Sequence, residues 1–137
     1  MSDQLRAMLI RQEGLRLKPY RDTVGKLTIG VGRNIEDDGI SEAEAYALLD
    51  NDIITHTLQA QKLPVFQSLD SVRQDVLIDM VFNMGLPRVM GFKKMLAALA
   101  VGDWNEAAAE MRCSKWAEQV GNRAIELAAM ISSGQYP

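Results

Sequence analysis

Glu13, Asp22 and Thr28 are the residues of this chain whose types and spacing suit catalysis. The glutamate closes an amphipathic stretch. The aspartate follows nine positions on, at a turn, and the threonine six further, inside an alternating apolar pattern. Two carboxyl groups and a hydroxyl held across a small hairpin are the parts needed to hydrolyse a glycosidic bond. The acid catalyst of that reaction must hold a proton near neutral pH, which partial burial favours. Glu13, where a mainly apolar helix ends, is placed to be partly shielded. The second carboxylate must stay ionised in a wetter place, and Asp22, between Arg21 and Thr23, suits that. The strand register brings Thr28 back across the hairpin toward Asp22, where a hydroxyl can hold an attacking water. Carboxyls ~6.5–9.5 Å apart leave room for that water and invert the anomeric centre. The spacing alone is nevertheless common. A helix-terminal glutamate is usually solvated or ion-paired, and a turn aspartate usually forms an Asx turn.

The surrounding pattern supplies the elements that must hold these groups. Asp3 to Glu13 reads as a helix, with Leu5, Met8, Leu9 and Gln12 near helical spacing and Gly14 ending it. Leu15, Leu17, Leu27, Ile29 and Val31 then alternate as half-buried strands do, and Pro19 suits an edge strand. Asp22 to Lys26 is a turn, with Gly25 free to take positive φ. A third short strand is expected near Arg33 to Ile35. Glu36 to Gly39 reads as a polar loop. Ser41 with Glu44 is a capping-box pair opening a long helix to about Gln61, before Pro64. Further helices are expected from Ser68 or Asp70 to Met84, around Phe92 to Val101, from Asp103 to Arg112, and from Asn122 to Ser132. Helix, hairpin, then only helices is an α+β order. The expected single domain, 1–137, has a β lobe of roughly 14–40 and a linking helix of roughly 41–62. Its helical lobe is roughly 64–137 together with the N-terminal helix 3–13.

Composition narrows the function classes. A chain of 137 residues, 47% hydrophobic and 24% charged, is one ordinary globular domain with a real core. No apolar run approaches the ~20 residues of a membrane span. Residues 1–14 mix charges with apolar residues, unlike a secretory signal, so synthesis in the cytoplasm is expected. Cys113 is the only cysteine, which excludes an internal disulfide and fits a reducing compartment. A net charge of −3 argues against nucleic acid as partner.

Longer blocks carry a specific resemblance. Glu13-Gly14-Leu15-Arg16-Leu17 before the turn and Thr28-Ile29-Gly30-Val31-Gly32 after it are similar to the catalytic segment of phage-type lysozymes, glycoside hydrolase family 24. Two more blocks resemble that family's helical lobe. One runs from Ser68-Leu69-Asp70-Ser71-Val72-Arg73 through Met80-Val81-Phe82-Asn83-Met84-Gly85 to Gly91-Phe92. The other runs from Trp104-Asn105-Glu106-Ala107-Ala108 through Ser114-Lys115-Trp116 to Asn122-Arg123-Ala124. The resemblance implies a lysozyme-like fold, with a small hairpin lobe and a larger helical lobe joined by a long helix. It implies Glu13 as proton donor, with Asp22 and Thr28 positioning and activating water. It pairs Arg123 with the glutamate from the other lobe, sets Phe82 in the substrate cleft, and uses Gly30 and Gly32 to let sugar approach the hairpin backbone. The implied substrate is peptidoglycan, cut between N-acetylmuramic acid and N-acetylglucosamine, by a monomer that uses no metal or cofactor. Reaching the wall would need a membrane lesion such as a holin supplies.

The chain departs from the family pattern at Arg33, where a histidine is familiar, at Asn83 in place of a glutamine, and at Lys115 in place of an arginine. The first bears on stability. The others bear on how glycan or peptide stems are held. The segment between hairpin and long helix is also shorter. Two other readings compete: a lytic transglycosylase, which needs one carboxyl and is disfavoured by Asp22 and Thr28, and an inactive wall-binding module. Elsewhere the residues read as structural. His56 lacks a cluster that would make a zinc site. Cys113 is expected buried or half-buried. The methionines read as core filler, Trp104 and Trp116 as core anchors, and Lys93-Lys94 as a solvated pair.

Overall fold

The computed structural model describes residues 2–137, so Met1 lies outside it. The elements run in order: α1 (Asp3–Glu13), β1 (Arg16–Arg21), β2 (Leu27–Gly30), β3 (Arg33–Asn34), α2 (Ile35–Asp38), α3 (Glu42–Ala60), a 3₁₀ turn (Phe66–Ser68), α4 (Ser71–Met84), α5 (Leu86–Met90), α6 (Lys93–Ala100), α7 (Trp104–Arg112), α8 (Lys115–Val120) and α9 (Asn122–Ser133). The chain forms two compact units, the first ending at Leu48 and the second Leu49–Pro137. α1 falls in the first unit with the sheet, whereas the sequence reading groups it with the later helices.

The first unit is built by turns and caps. β1, β2 and β3 form an antiparallel sheet in chain order. Tyr20 faces Thr28, Arg21 faces Leu27, and Thr28 faces Asn34 across it. The register slips between Arg16 and Tyr20, the interval that holds Pro19, which has no N–H for a ladder bond. The polar loop expected at residues 36–39 is instead a helical turn, α2. Asn34 caps it, its side chain accepting from the Asp37 N–H at 3.0 Å. The capping box at α3 is present in both directions. Ser41 Oγ accepts from the Glu44 N–H at 3.1 Å, and Glu44 Oε1 accepts from the Ser41 N–H at 2.8 Å.

The core lies in the second unit. α4 buries Val76, Leu77, Met80 and Val81, which the helical period brings to one face. α7 and α9 pack closely through Ala107, Ala108, Ala124 and Ala128, small side chains that let two backbones approach. Met95, Leu99, Met111 and Ile131 fill the remaining volume. Met80, Met95, Met111 and Met130 are the core filler expected of them, while Met90 is exposed. Trp116 is buried and donates its indole N–H to Asn83 Oδ1 at 2.8 Å. Trp104 is half-buried under the guanidinium of Arg73, which lies 3.8 Å from the ring centre. That buried guanidinium also donates to the Ile131 carbonyl at 2.8 Å and to Asp70 at 2.9 Å, so a charge is carried inside with its donors used. Besides α2, two helices are absent from the sequence reading, α5 and α8. Pro87 sits in the first turn of α5, where its missing N–H costs nothing, just after α4 ends at Met84 with Gly85 as its cap.

Candidate active site

The turn after β1 arranges Asp22 through its own backbone. Asp22 Oδ1 accepts two N–H groups, from Val24 at 3.0 Å and from Lys26 at 2.8 Å. Its main chain closes the same loop, with the Asp22 N–H donating to the Lys26 carbonyl at 2.9 Å and the Gly25 N–H to the Asp22 carbonyl at 3.0 Å. Gly25 takes φ +83°, which the turn requires. One carboxylate oxygen is therefore fixed to the loop. Among the described residues the other makes no hydrogen bond. The half-buried Asp22 presents that oxygen in a set direction.

Thr28 is buried at 3% exposure, and its hydroxyl donates to the Lys26 carbonyl at 2.9 Å. The same carbonyl thus receives the Asp22 N–H and the Thr28 hydroxyl. With its proton committed there, the Thr28 oxygen can only accept from a further partner.

Glu13, the last residue of α1, meets the hairpin at Gly32. A Cβ on Gly32 would lie 2.7 Å from Glu13 Oε2 and 2.9 Å from its Cδ. The carboxyl group therefore rests directly on the Gly32 backbone, at φ +68°, where only glycine is comfortable. Glu13 is exposed, against the expectation of partial shielding, because α1 buries none of its residues. Gly30 also has positive φ, with open space where a Cβ would stand. Glu13, Asp22, Thr28, Gly30 and Gly32 thus all belong to the first unit.

The flanks of the turn are heavily charged. Arg21 donates to the Gly25 carbonyl at 3.0 Å and to Glu36 Oε1 at 3.1 Å. Lys26 pairs with Asp37 at 3.2 Å and Glu36 at 3.5 Å. Arg33 makes a two-pronged bond to Glu44, at 3.0 and 2.9 Å, which with the Ser41 N–H holds the Glu44 carboxyl at about 2.

Phe82 and Arg123 lie in the second unit. Both line a groove of about 680 Å³, which Ile53, Phe66 and Tyr136 share. Arg123 donates to Asp79 at 2.8 Å, a partner that its sequence context did not signal. Phe82 is stacked at a tilt on His56, 4.9 Å between centroids, and His56 Nδ1 lies 2.6 Å from the Asp52 carbonyl oxygen, so the histidine is structural. Cys113 is exposed rather than half-buried, because it sits just past the end of α7. Among the described residues no cluster of three or more metal-ligating side chains exists, and no helix is long and apolar enough to cross a membrane.

An α+β chain with a three-stranded sheet beside a larger set of helices is lysozyme-like in fold, and that class is one of glycoside hydrolases. The family model described as phage lysozyme matches residues 10–130, and the chain belongs to that family. It is 29% identical to probable T4-type lysozyme 1 of Dictyostelium discoideum, over 98% of this chain and 96% of that one. It is 33% identical to an endolysin of Acyrthosiphon pisum secondary endosymbiont phage 1, over 98% and 92%. It is also 32% identical to the pre-baseplate central spike protein Gp5 of Enterobacteria phage T4, over 93% of this chain but 27% of that protein.

Proposed function

We propose that this lysozyme is an endolysin that hydrolyses the β-1,4 bond between N-acetylmuramic acid and N-acetylglucosamine in peptidoglycan, with inversion, for host lysis. The observation that carries the reading is the Asp22 turn, with one oxygen tied to the backbone and the other unbonded among the described residues. Glu13 delivers its proton to the glycosidic oxygen as the C1–O bond breaks, and the bonding electrons stay with that oxygen. A water held between Asp22 and Thr28 attacks C1 from the opposite face. Thr28 can only accept, so the water gives one hydrogen to Thr28 and the other to Asp22. A lone pair is left facing the sugar. Asp22 takes the proton as the C1–O bond forms, and the product is a reducing sugar of inverted configuration. Gly30 and Gly32 keep side chains out of the path of the sugar, and Phe82 and Arg123 contribute to substrate binding from the second unit. Access to the wall through a membrane lesion of the holin type, and action as a monomer, belong to the same proposal.

The match to a spike protein favours one other setting, the same chemistry as part of a tail machine. Mass spectrometry of sugar ends released from purified peptidoglycan tests the reaction. Reducing N-acetylmuramic acid ends support it. Anhydro ends would replace it with transglycosylation, and binding without product would leave a wall-binding module. Lysis by the chain expressed alone with a holin, against none, separates the endolysin from the tail setting.

A further inference from the structure

Asp22 stands between two cationic residues in the turn, and neither side-chain charge is bonded to it. Arg21 precedes it in the chain, and Lys26 donates its own backbone N–H to Asp22 Oδ1 at 2.8 Å. Either side chain is long enough to fold back onto the free oxygen of that carboxylate. Instead Lys26 is turned toward α2, and Arg21 is shared between the Gly25 carbonyl, at 3.0 Å, and α2. Glu36 takes Arg21 at 3.1 Å and reaches the Leu27 N–H at 3.3 Å with the same oxygen, while its other oxygen lies 3.5 Å from Lys26. Asp37 takes Lys26 at 3.2 Å and is itself steadied by the Asn34 amide at 2.9 Å. One acidic helical turn therefore grips both strands of the hairpin just below the catalytic loop.

We propose that the Glu36–Asp37 turn is a positioning device for hydrolysis: it draws Arg21 and Lys26 away from Asp22, so that the free carboxylate oxygen meets water rather than an ammonium or guanidinium group. This rests on the reading of Asp22 as the group that activates water. A carboxylate closed by an ion pair is a poorer proton acceptor and has no oxygen left for the water. The electrostatics run the same way. The Lys26 ammonium is held above its ordinary value mainly by its bond to Asp37 and then by Glu36, with Asp22 contributing least. A lysine committed to Asp22 would show the reverse. Glu36 and Asp37 touch neither substrate nor water in this scheme and act through Arg21, Lys26 and the loop.

The test is a set of charge-neutralising variants assayed on purified peptidoglycan. Glu36→Gln with Asp37→Asn should lower kcat about tenfold and leave KM within about twofold. Adding Arg21→Gln and Lys26→Gln should bring kcat back to within about threefold of the parent, because no cation remains to close Asp22. A merely structural α2 would not give that rescue. Glu44→Gln, which removes an ion pair of the same unit away from the turn, supplies the control for lost stability. A double variant with parental kcat, or a folded quadruple variant no better than the double, would overturn the inference. Asp22→Asn separates the two layers. If it stays active, the site reading itself fails. If it is inactive while the double variant is unimpaired, only the role of Glu36 and Asp37 falls.

Discussion

Gly32→Ala tests whether the resting place of Glu13 matters to the chemistry. The substitution acts in two ways that can be separated. First, alanine at φ +68° is strained, at a cost of about 1–2 kcal/mol. That should lower the melting temperature by about 3–8 °C in a chain of this size. Second, the new methyl would lie 2.7 Å from Glu13 Oε2, where ordinary contact begins at 3.4 Å. The carboxyl group must therefore move by about 0.7 Å, and a misplacement on the order of 1 Å can cost about a hundredfold in rate. We expect kcat on peptidoglycan to fall about 10- to 100-fold, equivalent to about 1.4–2.7 kcal/mol of barrier. Gly102→Ala calibrates the strain alone. It has φ +73°, and its Cβ would meet only Trp104, at an ordinary 3.8 Å. It should lose similar thermal stability and keep parental kcat at a temperature where both variants are folded. If Gly32→Ala proves as active as Gly102→Ala, the contact between Glu13 and the hairpin backbone has no catalytic weight, and the reasoning fails.

Glu13→Gln keeps shape but has no proton to give, so activity should drop by ~10²–10⁴-fold while thermal unfolding is unchanged, and an active, folded variant would remove the proton-donor role. Cys113→Ser should retain nearly full lytic activity, since the thiol is exposed and unpaired, and titration with a thiol reagent in the native state should find it reactive. Arg73→Ala leaves the Ile131 carbonyl without its guanidinium donor and uncovers Trp104, and should cost about 3 kcal/mol in denaturant unfolding. The Arg33–Glu44 pair makes stability depend on acid: the Glu44 carboxyl is held down at about 2 from an ordinary 4.5. Its contribution is whole above pH 4.5 and vanishes as pH falls through 2. The melting-temperature gap between parent and Glu44→Gln should therefore close across that interval, and a gap independent of pH would discount the pair.

The sequence makes legible those elements whose local chemistry agrees with their place in the fold. Ser41 and Glu44 announce α3 because both halves of the box are side chains bonding to nearby backbone. Asp22 with Gly25 announces the hairpin for the same reason. α2 stays hidden because four acidic-rich residues resemble a solvated loop until Asn34 is seen to cap them. α8 stays hidden because Ser114 caps it with no acidic partner at Ala117. At Asp22 the bland and the functional readings prove compatible. The Asx turn occupies one oxygen, and catalysis would need the other. The partner of Arg123 was beyond reach, since Asp79 lies on a different helix and nothing in the local pattern of either residue marks the pair.

The buried guanidinium of Arg73 has a consequence for how the chain is made. Arg73 is translated early in the second unit, yet the carbonyl it donates to belongs to Ile131, 58 residues downstream. Until α9 has left the ribosome, α4 carries an apolar face still uncovered on that side and a guanidinium that has Asp70 but lacks its Ile131 acceptor. The sheet of the first unit has no such debt to later sequence, because its pairings lie between Arg16 and Asn34. We expect nascent chains arrested before residue 120 to protect the hairpin from proteolysis while α4 remains cleavable. The part of the enzyme that bears Glu13 and Asp22 would then be shaped during synthesis. The helical unit would close only when the final turns of α9 are free of the exit tunnel.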